Sequence, residues 1–67
     1  MKIKSILKLI NDCKLYIEIK DKKTGASYGF FTKNDLIYNS KYNNYSIKAI
    51  NSQYFQGKRL LVLEIDY

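Results

Sequence analysis

The strongest strand pattern in the chain lies over residues 59–66, where aliphatic residues at every second position predict one fully apolar, buried face, while the opposite face, Leu60, Val62, Glu64 and Asp66, is mixed. Its inner residues are Leu61, Leu63 and Ile65. Residues 15–20 alternate in the same way, and the inner residues there are Leu15, Ile17 and Ile19. We therefore predict two strands that each present three aliphatic side chains to a core.

Two further strands are predicted from less regular alternation. Residues 26–31 alternate, with one face formed by Ala26, Tyr28 and Phe30. Gly29 interrupts this strand and indicates a bulge or a close contact. Residues 45–51 alternate through Tyr45, Ile47 and Ala49. Because Ile50 breaks that alternation, we predict a bulge at Ile50.

Turn residues separate the two strands of each pair. In the segment 21–25, the Asp21 carboxylate can accept backbone hydrogen bonds, and Gly25 can take the positive φ that closes a turn. The segment Gln56-Gly57-Lys58 is the second turn signal. The chain therefore contains two predicted hairpins.

Two helices are predicted outside the hairpins. Residues 3–11 carry apolar side chains at the helical spacing i, i+3, i+4 and i+7, which are Ile3, Ile6, Leu7 and Ile10. A second helix of one to two turns starts after Thr32, whose hydroxyl can cap the first turn, and Asp35 follows three residues on.

The predicted order is α-β-β-α-β-β in a single small domain, residues 1–67. The fold class is α+β, with two hairpins in a mainly antiparallel four-stranded sheet and one helix packed on a face. The uncovered face would present Tyr16, Glu18, Lys20, Lys48, Val62 and Glu64. Leu60 and Val62 make this face partly apolar, so it is either solvated or paired with another protein.

The small size of the chain limits its stability. A chain of 67 residues buries only about 60% of the surface that its unfolded form exposes. Its single cysteine, Cys13, cannot form an internal disulfide and fits a reducing compartment. The core alone, or a homodimer, must supply the missing stability, and both alternatives stay open.

The charge is strongly basic, with 12 basic and 6 acidic residues and a net charge of +6. Such a balance favours nucleic acid, an anionic membrane or an acidic protein as partner. However, Lys, Ile, Tyr and Asn together supply 33 of the 67 residues, and their codons are rich in adenine and thymine. The lysines therefore reflect either a function or the composition of the genome.

The residue types offer little for catalysis. The chain has no histidine, so the commonest general base is absent. Cys13 follows a predicted helix instead of starting one, which gives no reason for a lowered thiol pKa. The carboxylates form no close paired motif. We predict a protein that is not an enzyme and that holds no cofactor and no metal.

A window rich in tyrosine and lysine is the strongest candidate for binding. The predicted binding residues are Tyr38, Lys41, Tyr42, Tyr45, Lys48 and Tyr54. Tyrosines are enriched at protein interfaces, and with lysines they can also stack bases and hold a single-stranded backbone. We expect Tyr42→Ala or Tyr45→Ala to abolish binding and to leave the fold intact. The alternative is that these tyrosines cover the edge of a small core.

The plan of the chain resembles the small accessory proteins that phages and prophages of low-GC Gram-positive bacteria encode. The pattern combines a short helix, a strand 15–21 that runs into the Thr24-Gly25 turn, a small helix at 34–36 and a final strand at 61–65. The resemblance covers nearly the whole chain, but it includes no diagnostic motif. No functional residues are carried across.

The resemblance implies a non-enzymatic protein in the cytoplasm of a bacterial host cell. Its expected role is to inhibit or modulate a host protein or ribonucleoprotein, such as a CRISPR or other antiviral defence component. The basic charge differs from that of acidic inhibitors that mimic nucleic acid, so an acidic surface, a guide RNA or an assembly interface is favoured. The alternative function is direct binding of single-stranded DNA or RNA. No membrane partner is predicted.

Overall fold

The computed structural model describes residues 1–12, 14–38 and 40–66. The elements in chain order are helix α1 (Ile3–Leu7), strands β1 (Tyr16–Asp21) and β2 (Ser27–Phe31), helix α2 (Lys33–Tyr38), a 3-10 helix (Ser40–Tyr42), and strands β3 (Ile47–Phe55) and β4 (Lys58–Ile65). The α+β class is confirmed. The predicted order is incomplete, because the 3-10 helix stands between α2 and β3.

The four strands form one mixed sheet in the order β2-β1-β4-β3. β1 pairs antiparallel with β2, and β3 pairs antiparallel with β4, so each hairpin forms as predicted. The two hairpins meet through a parallel pairing of β1 with β4, from Tyr16 beside Leu60 to Asp21 beside Ile65. The prediction of a mainly antiparallel sheet therefore holds for the two hairpins and is wrong at this central pair, because alternation comes from the pleat of each strand and does not give the direction of its neighbour.

The hydrophobic core lies on one face of this sheet. Its fully buried strand residues come from β1 and β4 and are Ile17, Ile19, Leu63 and Ile65. α1 adds the predicted apolar stripe, and α2 adds Leu36, which has no exposed surface. The prediction that one helix covers the sheet is therefore wrong, since both helices and Tyr42 of the 3-10 helix join the same core.

Helix α1 is shorter than predicted. It ends at Leu7, and the chain then turns more tightly, with Leu9 donating to the carbonyl of Ile6 at 2.9 Å and Ile10 donating to that of Leu7 at 3.4 Å. These bonds to the third preceding residue are typical of a 3-10 turn at a helix end. Ile10 stays buried, so the apolar stripe is preserved beyond the α-helix.

The turn predicted at 21–25 and the helix cap predicted at Thr32 are both present in the structure. The backbone N–H of Gly25 donates to the Asp21 carbonyl at 2.8 Å, and Gly25 has a φ of 75°. The N–H of Asp35 donates to Thr32 Oγ1 at 3.3 Å, and the N–H of Thr32 donates to Asp35 Oδ2 at 3.0 Å. This reciprocal pair is a capping box that starts α2.

Two bulges change which residues face the core. In β3 the register shifts between Ile47 and Ala49, so the extra residue is Lys48 and not Ile50. In β2 the register shifts around Tyr28, and Gly29 has a φ of 128°. Tyr28 therefore packs against the core together with Phe31.

The β2 bulge also corrects the predicted faces. Phe30 pairs with Glu18 and lies on the opposite face of the sheet from Tyr28, although the plain alternation placed Tyr28 and Phe30 together. A bulge adds one residue and exchanges the faces of all residues on one side of it. Phe30 is consequently exposed on the face away from the helices.

The segment around Lys2 covers the start of β3. Lys2 forms an antiparallel bridge with Ser46. The N–H of Ile3 donates to the Tyr45 carbonyl at 3.1 Å, and the N–H of Ile47 donates to the Met1 carbonyl at 2.7 Å. The outer edge of the sheet is therefore hydrogen-bonded as far as Ile47.

One substitution in the turn between β3 and β4 is expected to stabilise the protein. Gln56 and Gly57 have φ values of 53° and 77°, the two positive values of a type I′ turn. Asparagine adopts this conformation more readily than glutamine. We expect Gln56→Asn to raise the free energy of unfolding by about 0.5 kcal/mol and the Tm by about 2–4 °C. Gln56→Val should lower the free energy of unfolding and the Tm, because a β-branched residue is disfavoured at positive φ. Thermal melts measure the Tm of both variants, and equal Tm values would contradict the turn geometry.

Candidate nucleic-acid interface

The sheet face away from the helices has a continuous set of neighbouring side chains. Phe30 lies beside Glu18, Glu18 beside Val62, and Tyr16 beside Leu60. Phe55 and Lys58 pair at the end of the second hairpin on the same face. This outer face therefore brings aromatic, aliphatic and basic groups together from all four strands.

Two phenylalanines from the two edge strands contact each other across the outer face. The ring centroids of Phe30 and Phe55 lie 6.4 Å apart, and the ring planes differ by 22°. Their strands are separated by β1 and β4, which is about 14 Å in a flat sheet. The sheet and the end of the β3–β4 hairpin must therefore curl so that these rings meet over the two central strands.

This aromatic pair changes the character of the outer face. Leu60 and Val62 lie on it and are nevertheless buried, at 5% and 2% exposure. The prediction that Val62 and Glu18 would be uncovered is wrong, because Glu18 is buried as well. The outer face thus has a small apolar layer of its own, and the aromatic rings form its solvent side.

A groove of about 230 Å³ runs beside the aromatic pair. Its walls are formed by Tyr16, Phe30, Phe55, Gln56, Lys58, Arg59 and Leu60. The two phenylalanines remain 55% and 57% exposed, so more than half of the surface of each residue is open to solvent. We name this groove the aromatic–basic groove.

Basic side chains border the aromatic rings. Lys58 Nζ lies 5.5 Å from the centroid of the Tyr16 ring, within the range of a cation–π contact. Arg59, the only arginine of the chain, lines the same groove. In the described residues the ion pairs are Lys20 with Glu18 and Lys23 with Asp66, so neither Lys58 nor Arg59 is neutralised by one.

The groove continues into a second depression of about 540 Å³. Tyr16, Lys58 and Arg59 belong to both, and the second one adds Lys14 and Asp12. Asp12 Oδ1 accepts a hydrogen bond from the backbone N–H of Lys14 at 2.9 Å, which uses part of its acceptor capacity. The continuous surface suits an extended ligand better than a compact one.

The tyrosine window predicted from the sequence is not one exposed surface. Tyr42 is only 6% exposed, and its ring contacts Tyr28, Phe31 and Tyr45 at centroid distances of 6.1, 5.6 and 6.3 Å. Tyr45 is partly buried against the same core. These contacts favour the alternative in which Tyr42 and Tyr45 cover the edge of the core, so the expectation that Tyr42→Ala leaves the fold intact is wrong.

The other predicted residues lie on different elements. Tyr38 ends α2 and is 89% exposed, while Lys48 and Tyr54 are exposed on β3. Lys41 Nζ lies 5.4 Å from the Tyr42 ring. A binding role for these exposed residues stays a prediction.

Sequence reasoning placed Tyr16 on the outer face but assigned no role to the aromatic–basic groove. One signal for it was available, because Phe55 and Lys58-Arg59 flank the second turn, where a hairpin brings them together. Phe30 had no such signal. Its position on the outer face depends on the β2 bulge, which simple alternation does not predict.

Comparisons with protein-family models, with curated proteins and with solved structures gave no match. Within residues 1–12, 14–38 and 40–66, no three or more His, Cys, Asp or Glu side chains come together as metal ligands. No helix in the same residues has the length and apolar character to span a membrane. The geometry and charges of the surface therefore carry the argument about function.

Stability measurements can test that Tyr42 is buried in the core and that Tyr38 is exposed. We expect Tyr42→Ala to lower the free energy of unfolding by about 3–5 kcal/mol, because it removes a buried ring and leaves a cavity. Tyr38→Ala should change it by less than about 0.5 kcal/mol, because that ring is exposed. Urea unfolding followed by circular dichroism measures both. A Tyr42→Ala variant as stable as Tyr38→Ala would contradict the position of Tyr42 in the core.

Proposed function

We propose that the protein binds single-stranded nucleic acid in the aromatic–basic groove. The observation that supports this most strongly is the Lys58 ammonium over the Tyr16 ring beside the exposed Phe30–Phe55 pair. Proteins that bind single strands combine aromatic side chains, on which bases stack, with cations that follow the backbone. The groove offers both kinds of group on one face.

The exposed rings explain why the ligand would be single-stranded. Phe30 and Phe55 present about half of their surface to solvent, which is costly for apolar side chains without a partner. A base can cover a ring only if its own face is free, and the bases of a duplex already stack on each other. A single strand supplies free base faces.

The basic side chains of the groove would bind the phosphates of the strand, while the aromatic rings would bind its bases. Lys58 and Arg59 follow Phe55 after a two-residue turn and line the same groove as both phenylalanines, so a phosphate next to a stacked base would lie close to them. Lys14 continues the basic border in the second depression. The net charge of +6 adds a long-range attraction for a polyanion.

A second candidate is the role that the sequence favoured first, a phage-type protein that inhibits or modulates a host macromolecule such as a defence component. The supporting observation is a separate cleft of about 300 Å³ at the helices, lined by Lys4, Leu7, Lys8, Lys33, Ile37 and Asn43. Ile37 is exposed there, and Tyr38 follows it. An apolar group beside lysines fits an acidic protein surface.

The groove predicts specific changes in affinity. For a fluorescent oligothymidylate of 12 nucleotides, we expect Phe30→Leu and Phe55→Leu each to weaken binding about tenfold, because leucine keeps apolar volume but removes the stacking face. Fluorescence anisotropy at constant salt measures the Kd. Tyr38→Leu is the matched control, since it removes an exposed ring outside the groove and should leave the Kd unchanged.

The salt dependence tests the cations. Each phosphate contact on a single strand contributes about 0.7 to the slope of log K against log salt. Lys58→Gln should therefore lower that slope by about 0.7, whereas Lys22→Gln, in the exposed turn after β1, should leave it unchanged. Equal slopes for the wild type and Lys58→Gln, or a Kd for the matching duplex as low as for the single strand, would contradict the proposal.

The two candidate functions are separated by a pull-down from bacterial lysate with and without nuclease. Loss of all co-purifying protein after nuclease treatment is expected for nucleic-acid binding. A single protein that survives nuclease, and that is lost when Ile37→Lys replaces the wild type, would favour the host modulator. In that case the groove variants Phe30→Leu and Phe55→Leu should still capture the protein.

A further inference from the structure

The two edges of the sheet coincide with the two longest uncharged stretches of the chain. Residues 24–32 contain β2 and residues 49–57 contain most of β3, and neither stretch has a charged residue although the chain has 12 basic and 6 acidic ones. Soluble proteins usually protect edge strands with charged side chains, particularly lysine, because free backbone groups there can pair with another strand. The absence of charge marks these edges as places where two cationic copies can approach.

β3 is the better of the two edges for pairing. β2 has five residues and is interrupted by its bulge, which disrupts a regular ladder. β3 has nine residues, and its register with β4 is regular from Ala49 to Phe55. The segment around Lys2 covers β3 only as far as Ile47. Seven consecutive residues, about 24 Å of strand, remain at the edge of the sheet.

The hairpin geometry specifies which backbone groups point outward. In a hairpin with a two-residue turn, the pair next to the turn, here Phe55 and Lys58, is hydrogen-bonded, and bonded and non-bonded pairs then alternate. Tyr54, Ser52 and Ile50 therefore belong to non-bonded pairs with β4. Their N–H and carbonyl groups point away from β4, toward the free side of the sheet.

We propose that β3 pairs antiparallel with β3 of a second copy, with the two-fold axis at Ser52. In this register Ser52 of one copy lies opposite Ser52 of the other copy, and Ile50 of each copy lies opposite Tyr54 of the other. All three are the residues with outward backbone groups, so each pair can exchange two hydrogen bonds. The two four-stranded sheets would join into one continuous sheet of eight strands.

The side chains fit the same register. Ile50 and Tyr54 lie on one face of β3 and are 48% and 75% exposed. The two-fold axis would place each Ile50 against a Tyr54 ring, and an aromatic residue opposite a β-branched one is a favourable cross-strand pair. Lys48 of one copy would lie about 27 Å from Lys48 of the other, well beyond the Debye length at physiological salt. Within residues 49–55 the register therefore forms the Ile50–Tyr54 pair twice and places no charged residue opposite another.

Sedimentation equilibrium over about 10 µM to 1 mM tests the pairing. We expect the wild type to shift from a mass of 7.9 kDa to twice that value, with no higher species, because a two-fold interface closes on itself. Ser52→Lys should raise the dimer Kd about fivefold or more, because the axis places two like charges opposite each other. Ser27→Lys adds the same charge on the edge strand β2 and should leave the Kd unchanged.

A direct readout comes from hydrogen exchange of the backbone amides. We expect the amides of Ile50, Ser52 and Tyr54 to slow with protein concentration in the range where the mass doubles. A wild-type protein that stays monomeric at 1 mM overturns the proposal. A dimer that is broken by Ser27→Lys and not by Ser52→Lys, or whose formation leaves these three amides unchanged, also overturns it. The dimer test measures mass and amide exchange without any oligonucleotide. A failure of nucleic-acid binding in the groove would therefore not affect its outcome.

Discussion

The parallel pairing of β1 with β4 is the interaction on which the rest of the structure depends. It places the two strands that carry the most buried residues side by side at the centre of the sheet, so Ile17, Ile19, Leu63 and Ile65 form one continuous buried surface. In a chain of 67 residues this surface needs the cover of both helices and of Tyr42. The same pairing sets Tyr16 beside Leu60 on the outer face, and so it positions both the core and the aromatic–basic groove.

Because the two most buried strands occupy the centre of the sheet, the less buried strands β2 and β3 lie at its edges. β2 and β3 contribute the Phe30–Phe55 pair over the outer face, and the uncharged stretches 24–32 and 49–57 lie at the two edges of the sheet. Both surfaces proposed for binding therefore follow from the strand order. The groove uses side chains on a sheet face, whereas the edge of β3 uses backbone groups, so the two surfaces are chemically distinct.

The sequence predicts the local structure well, because each local feature has a local cause. The capping box of Thr32 and Asp35 and the turn closed by Gly25 involve residues a few positions apart. Alternation also identifies the buried face of β4. It does not identify neighbouring strands, since parallel and antiparallel neighbours accept the same pattern. The role of a single tyrosine could not be predicted for a related reason: tyrosine serves both cores and interfaces, and only packing shows that Tyr42 belongs to the core.

Mapping a single strand onto the protein by nuclear magnetic resonance would test the central claim most directly. Titration of ¹⁵N- and ¹³C-labelled protein with oligothymidylate should shift the ring signals of Phe30 and Phe55 and the backbone signals from Lys58 to Leu60, while the signals of α1 and α2 stay in place. Shifts confined to the helix cleft around Lys4 and Lys8, or no shifts at millimolar oligonucleotide, would contradict the assignment of the outer face as a nucleic-acid interface.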